Sequence, residues 1–277
     1  MNLGNTEISN HKIIVIEWLD DGDRKTGKDL YDDVLLYKTS STIPLTSEYH
    51  LAKSKDDFIA ILQEISNNHQ DGEIVTLDIE THGSVDGLGL SQGEILSWTA
   101  FFDLTRPLNV KCGGLLVITL SMCLGLANII GVTPEKRAPF SVIIGANRVM
   151  FPDELYDCMS GFYREYDSLL SLSISLNALN KSFIDNGTVS PFLPISSITW
   201  FDEFFKESRI LEAAEINASK LASQEGIDVE CAKWQIVEDM RELRSRNRDY
   251  FNFFDVHGIS NAPLQFISER GSENDAL

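Results

Sequence analysis

Apolar residues along this chain fall first into short solid runs and later into spaced stripes. Lys12 to Leu19 (KIIVIEWL) is a run rich in isoleucine and valine, closed by Asp20-Asp21-Gly22-Asp23, and reads as a buried strand followed by a turn. Ile74 to Ile79, Leu115 to Leu120 and Phe140 to Gly145 read the same way, and runs this solid suit strands covered on both faces of a parallel sheet. Between them the period changes. Lys55 to Ser66 places Phe58, Ile61, Leu62 and Ile65 on one helical face. Thr26 to Leu36 is a candidate short helix and Glu48 to Ala52 a further strand. Ser97 is placed to cap a helix over Trp98 to Leu104, and Pro152 to open one over Asp153 to Leu170. Leu88 to Leu90 and Glu94 to Leu96, around Ser91-Gln92-Gly93, read as a small hairpin.

Strands alternating with helices predict an α/β domain with a mainly parallel sheet, assigned to residues 1–183. Asp185 to Pro194 is a connection rich in Gly, Ser and Pro. Trp200 to Ser223 and Asp228 to Phe254 then form long helical patterns, the second with Trp234, Val237, Met240, Leu243 and Tyr250 near one face. Residues 184–277 are therefore expected to be a helical extension packed on the sheet domain, ending in a polar, disordered tail from Glu269 to Leu277. No internal repeat is visible.

Composition narrows the function classes. The 277 residues are 43% hydrophobic, enough for a substantial core without metal or disulfide staples. With 42 acidic against 23 basic residues the formal charge is −19, which repels phosphate backbones and anionic headgroups, so neither nucleic acid nor a membrane surface is an expected partner. Cys112, Cys123, Cys158 and Cys231 form no CxxC pair, which speaks against a zinc cluster or disulfide framework and for the cytoplasm. The N-terminus has neither the basic start nor the apolar run of a signal peptide. The uncharged run from Gly113 to Val132 is long enough to span a bilayer, but it divides into a β-type piece, a turn and a piece containing Asn128, as a central strand and its sequel would. Asp20-Asp21-Gly22-Asp23 resembles the start of a calcium loop, yet Tyr31 stands where its twelfth-position glutamate belongs. Gly87-Leu88-Gly89 lacks the later glycine and the helix of a dinucleotide fingerprint, and no phosphate loop supports a nucleotide enzyme. No cofactor and no metal are expected.

Reactive groups of an open parallel sheet gather where its strands end at their carboxyl sides. His82 ends the third strand and Cys123 ends the fourth, beside it. An imidazole near a thiol favours the thiolate, the nucleophilic form. Attack on an amide also needs N–H donors for the oxyanion, a task assigned to the backbones of Gly83 and Cys123. His82 would then protonate the leaving amine, and water would release the acyl group. Asp78 and Glu80 share a strand face with His82 and are candidates to orient it. Cys112, Cys158 and Cys231 read as structural thiols, Cys158 beside Leu155, Phe162 and Leu169. His11, His50, His69 and His257 lack a matching cysteine.

Thr81-His82-Gly83 after one strand and Ser121-Met122-Cys123-Leu124-Gly125 after the next resemble the His-Gly and Ala-Cys-x-Gly signatures of the caspase-like cysteine peptidases. Ala138-Pro139-Phe140, Phe162-Tyr163 and Ala178-Leu179-Asn180 are similar to the bacterial CHAT branch of that group. The resemblance covers about Ile74 to Phe183, and Lys12 to Ser66 only in element order. It implies a three-layer α/β/α caspase-like fold, a His82 and Cys123 dyad, a polypeptide substrate, and a role as an inducible protease in bacterial signalling or anti-phage defence. An activating ligand or regulatory protein would then be a partner, with the region from Trp200 onward as its candidate docking part. Ser121 carries over neither the glutamine of animal caspases nor the aspartate of metacaspases, so cleavage specificity stays open. The alternative is a non-catalytic relative that keeps the fold to bind a nucleotide signal or a protein partner.

Overall fold

The computed structural model describes residues 8–40, 43–91, 93–126, 132–167 and 171–248. Its sheet is built from β1 (Asn10–Trp18), β2 (Leu45–Leu51), β3 (Glu73–Gly83), β6 (Val117–Ser121), β7 (Val142–Ala146) and β8 (Phe192–Ser196), in the order β2-β1-β3-β6-β7-β8. All neighbours are parallel except β7 and β8. The far end of β3 also pairs antiparallel with β4 (Gly87–Gly89), and β4 with β5 (Ile95–Ser97), which is the hairpin expected from the sequence.

Alternation along each strand sorts the core into two layers. Ile14, Ile16, Val75, Leu77, Ile79, Ile118, Leu120 and Ile143 point to one face. There α2 (Lys55–Asn68) contributes Phe58 and Leu62, and α3 (Trp98–Lys111) contributes Trp98, Phe101 and Phe102. Ser54 and Ser97 accept the backbone N–H of Asp57 and Ala100 and so cap these two helices, each cap contributing roughly 1 kcal/mol. Ile13, Val15, Val117, Val142 and Ile144 point the other way. They meet α1 (Thr26–Leu30), which runs on into a π-helical turn to Leu35, α4 (Pro152–Glu165) and α5 (Leu172–Leu179). The result is three layers, helices on both sides of a mainly parallel sheet.

Several boundaries differ from the sequence reading. The sheet does not stop at residue 183, because β8 lies at its edge inside the stretch read as a connection and helical extension. Pro194 lacks an N–H and obscured the strand, and an edge is where a sheet tolerates proline. The pattern from Trp200 to Ser223 is two helices, α7 (Ser197–Phe204) and α8 (Glu207–Glu225), with α6 (Lys181–Asp185) before β8. Phe201, Phe205 and Ile210 bury in the sheet's core, so this region packs on the domain as expected. On α9 (Val229–Asn247), Val237, Met240 and Leu243 face the same core, whereas Trp234 is 70% exposed, and Tyr250 lies outside the described residues. So do Leu169, Leu170, His257 and the Glu269 to Leu277 tail. No helix among the described residues is long and apolar enough to cross a membrane, and the β-type half of the uncharged run is β6, buried at the centre of the sheet.

Candidate active site

The tips of β3 and β6 meet at the carboxyl end of the sheet. Glu80 pairs with Ser121 in the parallel register, which brings His82 and Cys123 to the same level two residues further on. The approach is tight. A Cβ on Gly83 would stand 2.1 Å from the carbonyl oxygen of Cys123, so only glycine fits there. Both candidate side chains reach toward the side of α1 and α4. His82 meets Asp23, in the loop that leads into α1, and the Cys123 sulfur meets Met150, in the loop that leads into α4.

Cys123 stands two residues beyond the end of β6 on a tight turn, and Leu124 adopts the left-handed region at φ 53°, which costs a non-glycine residue about 1 kcal/mol. The Leu124 N–H donates to the Arg148 carbonyl and the Leu126 N–H to that of Ala146. Around the half-buried sulfur, the Met150 N–H donates to Sγ at 3.4 Å, and the thiol can donate to the Met150 carbonyl at 3.5 Å. The Met150 loop is braced in turn. Arg148 pairs with Glu154 at 2.6 Å and lies over the Phe183 ring, and the Asn147 N–H donates to the Pro191 carbonyl.

His82 is 39% exposed, and its Nε2 lies 2.8 Å from Asp23 Oδ2 and 4.0 Å from Asp20 Oδ2. Asp23 Oδ2 also accepts the Asp20 N–H at 3.1 Å. Ser91, from the β4–β5 hairpin, donates through both its N–H and its hydroxyl to Asp20 Oδ2, which holds that carboxyl below the usual aspartate range. Lys25 clasps the carbonyls of Leu19 and Asp20 at 2.9 and 2.7 Å, and Arg24 ties the loop to α4 through Asp153 and the Tyr156 ring. Asp23 therefore engages the Nε2 side of the ring.

The orienters expected from the strand face, Asp78 and Glu80, do something else. They point into the sheet's interior, where Asp78 accepts from the Ser121 hydroxyl at 2.6 Å and Glu80 from the Thr26 hydroxyl at 2.7 Å. Glu17 joins them, taking the Gly27 N–H and the Tyr49 hydroxyl. These contacts fasten the start of α1 to β1 and β3. Burial pushes the Asp78 carboxyl up to about 7, and one of its oxygens has no hydrogen-bond partner among the described residues. Glu80 is raised by burial and by Asp78 beside it, and Glu17 by burial. Such acids share their protons as a group.

An acid raised by folding keeps a proton that the unfolded chain has already lost, so it withdraws stability as pH climbs from 3.8 toward about 7. Asp78→Asn keeps the Ser121 acceptor and is expected to raise the melting temperature more at pH 8 than at pH 5. The gain at pH 8 should be on the order of 1 to 4 kcal/mol. Thermal scans of both proteins at the two pH values decide it: an equal effect at both would show that Asp78 does not titrate between them. His11, buried and lowered to about 4, loses its stabilising neutral form only as pH falls below 6.5 and does so in both proteins alike.

The remaining thiols are placed differently. Cys112 and Cys158 are buried, which pushes them up to about 12 and about 11, and Cys231 is exposed. His69 does have a cysteine beside it, contrary to the sequence reading. Cys112 Sγ lies 3.4 Å from its Nε2, at the opposite end of the sheet.

No protein-family model and no curated protein matches the sequence. Among solved structures the chain is similar to caspase-1 from Spodoptera frugiperda, with 15% identity over 70% of this chain and 88% of that one and a TM-score of 0.42. It is similar to the Drosophila initiator caspase Dronc at 11% identity over 69% and 81%, with a TM-score of 0.43. A secreted C11 cysteine protease from Bacteroides thetaiotaomicron, in complex with an irreversible peptide inhibitor, shares 9% identity over 71% and 69%, with a TM-score of 0.45. Likeness at this level concerns the arrangement of sheet and helices and assigns no role to any residue.

Proposed function

We propose that this chain is a caspase-like cysteine endopeptidase in which Cys123 is the nucleophile, His82 the base and Asp23 the group that orients the base. The observation that carries the reading is the meeting of two strand tips, with a half-buried sulfur and a solvent-open imidazole on the same side of the sheet. With Nε2 held by Asp23, Nδ1 takes the thiol proton, and the Met150 N–H helps to hold the resulting thiolate. The thiolate attacks a peptide carbonyl, and the N–H groups of Gly83 and Cys123 meet the oxyanion. His82 returns its proton to the leaving amine, and water releases the acyl group. The substrate is a polypeptide. An activating ligand or regulatory protein is expected as a further partner, acting on the region from Trp200 onward.

Cysteine labelling tests the nucleophile. Cys231 is exposed and would react with any alkylating agent, so it is first replaced by serine. In that background, limiting iodoacetamide near neutral pH should modify Cys123 well ahead of Cys112 and Cys158, whose burial keeps them protonated, as read by peptide mass mapping. Labelling of Cys123 only after unfolding would remove the catalytic reading and favour a non-catalytic relative.

A further inference from the structure

The turn after β1 and the end of β3, far apart in sequence, bring one ligating atom each from Asp20, Asp23 and His82 within 4.8 Å of one another. All three residues are half-buried, open to solvent but held in place. Two ligands on one tetrahedral zinc ion stand roughly 3.3 Å apart, given bonds of about 2.0 Å. The His82–Asp23 pair already stands at 2.8 Å, and Asp20, at 4.0 Å from the same nitrogen, needs only a small swing inward.

The two oxygens that face His82 are also fixed in position. Ser91 donates twice to Asp20 Oδ2, the Asp20 N–H donates to Asp23 Oδ2, and Lys25 fixes the backbone carbonyls of Leu19 and Asp20. The donor set selects the ion. Calcium and magnesium take six or more oxygens, whereas one imidazole with two carboxylates and an open fourth position suits zinc. The acidic turn that failed as a calcium loop for want of its twelfth-position glutamate finds its third ligand in His82 instead.

We propose that Asp20, Asp23 and His82 bind a divalent cation of the zinc class, and that its occupancy switches the imidazole off as a base. The second half rests on the peptidase reading. In the working state the Nε2 proton faces Asp23 and the Nδ1 lone pair receives the thiol proton. A metal ion takes the Nε2 lone pair, so the neutral ring must carry its single proton on Nδ1. The proton balance closes within the ring: one proton stays, now on the wrong nitrogen, and Cys123 has no acceptor.

The test uses the full chain with Cys123→Ala and Cys231→Ser, which removes both accessible thiols as competing ligands. Titration calorimetry with zinc chloride should give one tight site, with no response to calcium or magnesium chloride. Asp20→Asn should weaken zinc about tenfold or more, and His82→Gln should abolish the site, with melting temperatures close to the parent's. Zinc affinity unchanged by either substitution overturns the site. In the protein with Cys123 intact, cleavage should fall with zinc occupancy and return with a chelator. Full cleavage at saturating zinc overturns the switch. Zinc bound by the doubly substituted chain, with no cleavage by the intact one at any zinc level, removes the peptidase reading alone and leaves the site standing.

Discussion

Cys123→Ala should lower cleavage of a peptide library by roughly a thousandfold or more while the melting temperature stays near the parent's. The split follows from what the sulfur touches. It is half-buried and, among the described residues, its hydrogen bonds run to the Met150 backbone, so its loss opens no large cavity and orphans no buried charge. The chemistry has no substitute, because no other thiol stands at the strand tips: Cys112 and Cys158 are buried and Cys231 lies on α9. His82→Ala should be comparably severe, since residues of one catalytic unit do not act additively. Undiminished cleavage by Cys123→Ala would end the assignment.

Gly83→Ala should be nearly as damaging for a different reason. Its methyl group would lie 2.1 Å from the Cys123 carbonyl oxygen and 3.0 Å from the Met122 side chain, and the first of these is backbone that cannot rotate away. The tips of β3 and β6 must then part. A displacement near 1 Å at a reacting pair is enough to cost about a hundredfold in turnover. Overpacking should also cost on the order of 1 to 3 kcal/mol of stability. Turnover together with a melting curve reads both effects. Parent-like turnover in Gly83→Ala would mean that the two tips are not held at this spacing during catalysis.

Strands β1, β3, β6 and β7 were legible in the sequence because each is a solid run of branched apolar residues, and a central strand has no polar face to show. His82 and Cys123 were legible for the same reason, since they follow such runs directly. Asp23 was seen as part of a turn, and nothing in Asp20-Asp21-Gly22-Asp23 says that the turn folds back over the end of a strand far along the chain. Met150 left no signal at all, because it acts through its backbone. Asp78 and Glu80 misled in an instructive way. They share the strand face of His82, but that face is roofed by α1 and α4 until the strand emerges, so the same alternation buries two acids and exposes the imidazole. β8 was hidden by Pro194, and the break between α7 and α8 falls at Phe205-Lys206 without glycine or proline to announce it.

The contact between Cys112 and His69 bears on how oxidative damage would register. Buried at the end of the sheet remote from Cys123, that sulfur meets peroxide only when the fold opens, so its sulfenic or sulfinic acid would act as a tally of unfolding events. Cys123 would be oxidised in the native protein instead. The ratio of the two products in an aged sample separates molecules poisoned while folded from molecules that had come apart.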